Sequence, residues 1–110
     1  GKDMKRMHIA ISVENIEKSI VDYNNRLGEV PCVVVPSEYA LWRTATINLS
    51  IRKDIKNPGK LRHLGVEEEA TPKFSETKDV NGIVWESFTE KQQDDEILYY
   101  WPHAEFKKRK

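Results

Sequence analysis

The chain has 110 residues, of which 18 are basic and 18 acidic, for a formal net charge of zero. That length supports one sizeable hydrophobic core rather than two. With no net field to draw it onto a phosphate backbone or an anionic bilayer, and no apolar run near the roughly 18 residues that cross one, neither nucleic acid nor membrane is expected as a partner.

No charged-then-apolar leader pattern opens the chain, and Gly1, Lys2 and Asp3 before Met4 read as a vector remnant. The single cysteine, Cys32, offers neither an internal disulfide nor a cysteine-based zinc site, so a cytoplasmic setting is expected. From Met7 to Val13 the residues alternate, with Ile9, Ile11 and Val13 on one face and His8, Ala10 and Ser12 on the other, the period of a strand. Asn15 then caps a helix whose apolar stripe is Ile16, Ile20, Tyr23 and Leu27, and Gly28 ends it. Pro31 to Val35, Ala40 to Arg43 and Thr44 to Arg52 read as three further strands, the last with Ile47, Leu49 and Ile51 alternating against Asn48 and Ser50. A turn cluster at Asn57, Pro58 and Gly59 separates the two halves.

The second half opens on another strand with a histidine, Leu61 to Glu67, in which His63, Gly65 and Glu67 share a face. Thr71 to Val80 is expected as a short helix, with Thr71 as its cap and Pro72 at its first position. Asn81-Gly82 turns the chain into a strand from Ile83 to Thr89. Glu90 to Glu96 is expected as a loop, Ile97 to Trp101 as a partner strand and Ala104 to Lys107 as a last, short one. The expected fold class is therefore α+β: two tandem βαβββ units, about residues 4–59 and 60–110, the second shortened, within one domain.

The segment MHIAISVENIEKSIVDYNNRLGEVP resembles the opening of vicinal oxygen chelate proteins, the superfamily of glyoxalases, bleomycin-resistance proteins and extradiol dioxygenases. TATINLSIR is similar to that superfamily's fourth strand and LRHLGVEEE to its fifth, and the order YALWRTATINLSIR then LRHLGVE resembles its small cadmium-inducible and arsenic-resistance members. The resemblance implies an open half-barrel whose concave cleft carries a divalent metal held by His and Glu from the first and last strands of each unit. Carried onto this sequence, it implicates His8 and His63, with Glu105 as the carboxylate of a last strand; Asn48 stands where glyoxalase-like members have Glu.

Two imidazoles and one carboxylate suit Fe(II), and also Zn, Mn or Ni, whereas an amide such as Asn48 is a poor transition-metal ligand. The resemblance implies a small-molecule-binding protein of this superfamily; if it is an enzyme, the expectation is a metal-dependent lyase, isomerase or dioxygenase using His8, His63 and Glu105, with Glu105 or Glu86 moving a proton. Either histidine can equally be a hydrogen-bonding neighbour within a strand. The alternative function is a metal-free binder that sequesters a small molecule in an aromatic cleft lined by Trp42, Trp85, Tyr99 and Trp101, with Asn48 nearby. A thin second unit leaves apolar sheet surface to cover, so a homodimer is expected. His103, the acidic runs Glu67 to Glu69 and Asp94 to Glu96, and the basic tail from Lys107 read as solvated.

Overall fold

The computed structural model describes residues 5–107, so Gly1 to Met4 and the last three residues of the basic tail lie outside it. Nine elements follow in the order β1 (Lys5–Val13), α1 (Ile16–Leu27), β2 (Val33–Val35), β3 (Tyr39–Arg43), β4 (Ile47–Lys53), β5 (Leu61–Glu68), β6 (Ser75–Lys78), β7 (Val84–Phe88) and α2 (Glu90–Tyr100). The seven strands form one open, mixed sheet in the order β2-β3-β4-β1-β5-β7-β6. No helix among the described residues is long and apolar enough to cross a membrane.

The first unit forms as its sequence pattern dictates. Asn15 caps α1 by accepting from the Lys18 backbone N–H (2.9 Å), and Gly28 ends it at φ 70°, a left-handed conformation that costs a glycine little. The helix lies on one face of the sheet, where Ile16 joins Val13, Ala40, Trp42, Leu49 and Ile51 in a buried cluster. The polar members of β1 and β4, His8, Ser12, Asn48 and Ser50, are buried on the other face.

The two units meet at an antiparallel β1–β5 pairing with Ile9 opposite Leu64. A half-turn about that pair carries His8 onto His63, so each histidine occupies the same place in its unit. The pairing pattern repeats as well: β1 is parallel to β4 as β5 is to β7, and β3 is antiparallel to β4 as β6 is to β7.

The second unit differs inside this symmetry. Residues 71–80 form no helix; they include β6, which pairs with β7, and Val80 is 97% exposed. With only Phe74 and Val80 as apolar positions, a helix there has too little to bury. Residues 90–100, expected as loop and strand, form α2. Thr89 accepts from the Gln92 N–H (3.1 Å) while the Gln92 side chain accepts from the Thr89 N–H (2.9 Å), a reciprocal cap that starts a helix. In the run that suggested a strand, Ile97 is buried and packs with Val33, Tyr39 and Leu41 on the sheet face opposite α1, and Trp101 packs against the same cluster. Arg43 fastens α2 to β3, donating to Asp94 Oδ1 (2.6 Å) and Gln93 Oε1 (2.8 Å). The strand expected at Ala104 to Lys107 is reduced to a single bridge, Val33 to Phe106.

Candidate metal centre

The face that does not carry α1 holds a cavity of about 550 Å³ between the sheet and α2. Three side chains converge on it from three strands: His8 from β1, His63 from β5 and Glu86 from β7. The Nε2 atoms of the histidines lie 2.9 Å apart, and Glu86 Oε1 lies 3.0 Å from His63 Nε2 and 3.8 Å from His8 Nε2. His8 and His63 are diagonal neighbours across the antiparallel pair, a spacing long side chains bridge.

The orientation of His8 is imposed from behind. Its Nδ1 faces two carbonyl-type oxygens, Asn48 Oδ1 (2.8 Å) and the Asn48 backbone oxygen (3.1 Å), so Nδ1 is the donor. Asn48 cannot be turned the other way round, because its Nδ2 donates to the carboxylate of Glu67 (2.7 Å) and to Gln93 Oε1 (2.7 Å). Glu67 is in turn paired with Arg6. A charge two side chains away thus fixes the amide, the amide fixes the tautomer, and the neutral ring directs its Nε2 lone pair into the cavity. Burial, as the larger influence, lowers the His8 pKa below its ordinary 6.5, against the opposing effect of the Asn48 hydrogen bond.

Gly65 makes the approach of β5 to β7 possible. It pairs with Glu86, and a Cβ there would sit 2.6 Å from the Glu86 carbonyl oxygen and 3.2 Å from His8 Cδ2. Around the cluster, Phe88 meets the His8 ring edge-on at 4.9 Å and stacks with Phe74 at 5.7 Å. Tyr39, Tyr100, Trp101, Arg52, Arg62 and Glu96 also line the cavity. Burial raises the Glu96 carboxyl above its ordinary range, and the neighbouring Glu86 charge adds to this.

His8, His63 and Glu86 are brought together; Glu105 is not. Glu105 is exposed beside Phe106, whose bridge to Val33 holds that segment at the β2 edge. Because residues 97–100 are helical, the last long strand of the second unit is β7, and its inward carboxylate is Glu86. Of the aromatic residues expected at a cleft, Trp101 lines the cavity. Trp42 lies under α1 with its indole N–H on Asn24 Oδ1 (2.9 Å), Trp85 faces away from Glu86 and donates to Asp79 (2.8 Å), and Tyr99 is 80% exposed. Asn48 stands behind His8 rather than among the cavity-lining residues. Glu67, expected to be solvated, is buried; its place in the alternation with His63 and Gly65 was the signal for that.

The donor set fits a metal ion. At bond lengths of about 2.1 Å, ligands on adjacent corners of an octahedron stand roughly 3 Å apart, the length of the two short edges here. His8 also has the outer hydrogen bond to a carbonyl that metal-bound histidines carry.

No protein-family model matches the chain. A trivalent organoarsenical cleaving enzyme of Bacillus sp. (strain MD1) is 34% identical to it over 71 residues, 62% of this chain and 44% of that enzyme. The chain thus spans less than half the length of the curated relative it matches. That relative is by its name an arsenic-related enzyme, and the order YALWRTATINLSIR then LRHLGVE resembles arsenic-resistance proteins.

Proposed function

We propose that this chain is a divalent-metal-dependent member of the vicinal oxygen chelate superfamily, in which His8, His63 and Glu86 hold the ion and the cavity beside it takes a small oxygen-bearing substrate. The observation that carries this reading is the convergence of three donor atoms with the His8 tautomer set by Asn48. Two imidazoles and a carboxylate suit Fe(II) first, with Zn, Mn and Ni as chemically compatible ions. An ion held there would polarise a bound oxygen. The protein's own contribution is to orient His8 through Asn48, to wall the site with Phe74 and Phe88, and to offer Glu96, its pKa raised, for proton transfer at the rim. A lyase, isomerase or dioxygenase reaction is compatible with such a set.

The relative's name gives trivalent organoarsenicals as what it cleaves. The one cysteine here, Cys32, packs near Val33 and Phe106 and is not among the residues lining the cavity. A soft arsenical would find no thiol there, which favours an oxygen-donor substrate for this site.

The test is metal content and metal titration of the untagged chain, first freed of metal, alongside His8→Ala, His63→Ala, Glu86→Gln and Glu105→Gln. One ion per chain is expected, lost in the first three variants and kept in the fourth. Failure to bind Fe(II), Zn, Mn or Ni would overturn the metal reading in favour of a metal-free binding protein. Loss in Glu105→Gln rather than Glu86→Gln would return the carboxylate role to the C-terminal segment.

A further inference from the structure

The cavity holds two guanidinium groups outside the His8, His63 and Glu86 cluster. Arg52 and Arg62 both line it, and neither guanidinium makes an ion pair or hydrogen bond among the described residues; Arg52 lies over the ring faces of Tyr100 (5.1 Å) and Trp101 (5.3 Å). Arg62 reaches the cavity through an irregularity in the sheet. In a regular strand Arg62 and His63 would face opposite sides, yet both line the same cavity. The β1–β5 register steps from Ala10↔His63 to Ile11↔Leu61, leaving Arg62 as the extra residue of a bulge. Bulges re-aim side chains in this way beside active sites.

The two arginines reinforce each other across β1. Arg52 stands opposite Ser12, four residues along from the His8–Asn48 pair, which is about 13 Å of strand. Two like charges on one wall repel, and an anionic ligand between them offsets that repulsion. Glu96 and Glu76 also line the cavity, and Glu86 is turned toward the histidines. Phe74, Phe88, Tyr100 and Trp101 also line the cavity, an aromatic surface that suits a flat organic molecule.

We propose that Arg52 and Arg62 form an anion subsite that takes the carboxylate of a planar organic acid whose other oxygens point toward His8, His63 and Glu86. The subsite itself stands on the cavity and the bulge; the placement of the far end of the ligand rests on the metal-centre reading. Guanidinium groups bind carboxylates by paired, charge-assisted hydrogen bonds, so the arginines select the acid over its neutral counterpart.

The test compares protocatechuate with catechol, which has the same vicinal hydroxyls and no carboxylate, by calorimetric titration of the metal-loaded and metal-free chain. Protocatechuate is expected to bind the wild-type protein about tenfold to a hundredfold more tightly than catechol. Arg62→Gln is expected to lose much of that preference and the Arg52→Gln, Arg62→Gln double variant all of it, with catechol binding unchanged. Equal affinities in the wild type, or a preference that survives the double variant, would overturn the subsite while leaving the metal centre standing. An arginine-dependent preference in a chain that binds no metal would uphold the subsite and fail the metal reading. Arg62 is exposed and makes no protein hydrogen bond among the described residues, so its single variant is expected to keep the wild-type circular dichroism and melting profile, which are recorded before each titration.

Discussion

Replacing Gly65 by alanine tests whether the β5–β7 backbone approach positions the cluster. The added Cβ would lie 2.6 Å from the Glu86 carbonyl oxygen, about 0.8 Å short of the 3.4 Å at which ordinary contact begins. Neither partner is a flexible side-chain end: the oxygen belongs to the paired strand, and the second contact, His8 Cδ2 at 3.2 Å, belongs to a ring held by Asn48. Relief therefore comes from parting β5 and β7 around the Gly65–Glu86 pair, which moves Glu86 relative to His63. Forcing a methyl into a packed site costs about 1–3 kcal/mol. Disturbing the supports of a metal site weakens binding about tenfold to a hundredfold. Urea unfolding of the metal-free variant gives the first quantity, and metal titration of the folded variant gives the second. A variant with wild-type stability and wild-type metal affinity would refute the claim that this close approach sets the site.

Two further substitutions address the supports of the site and of the neighbouring turn. Asn48→Ala removes the acceptor that fixes His8 and leaves Glu67 and Gln93 each short of a donor; a loss of about 1–3 kcal/mol in stability and a roughly tenfold to hundredfold loss in metal affinity are expected from unfolding and metal titration. An unchanged metal affinity would show that the backbone carbonyl of residue 48 alone orients the ring. Asp79 accepts from the Trp85 indole and from the Asn81 and Ile83 N–H groups, and these bonds, the indole first, hold its carboxyl below the ordinary 3.8. Its contribution to stability is present above pH 3.8 and is lost as pH falls through the lower folded value, so Asp79→Asn should flatten the acid limb of stability below that pH. Unfolding midpoints measured across the acid range check this; an unaltered limb would refute it.

The first unit was legible because its determinants are local. Alternation separates Ile9, Ile11 and Val13 from His8, Ala10 and Ser12, and Asn15 and Gly28 mark both ends of α1. The opening histidine of each unit was legible for the same reason, and the pairing of Ile9 with Leu64 then brings the two rings together. The carboxylate that joins the two histidines was hidden by composition. ILYYW has the residues of a strand, and reading it so made the C-terminal segment the last strand and Glu105 its carboxylate.

The Thr89–Gln92 cap was present in the sequence, but what keeps residues 90–100 helical is burial of Gln93 and Ile97 against the sheet, a long-range term that no local pattern contains. The direction of Arg62 was likewise beyond reach, because a bulge is a mismatch between two strands and has no single-strand signature. Sequence alone therefore determined the sheet-and-helix frame of the first half and the two histidines, which depend on periodicity and caps. Tertiary packing decided the carboxylate, the tautomer of His8 and the cations of the cavity, since each depends on contacts between residues at least 19 positions apart.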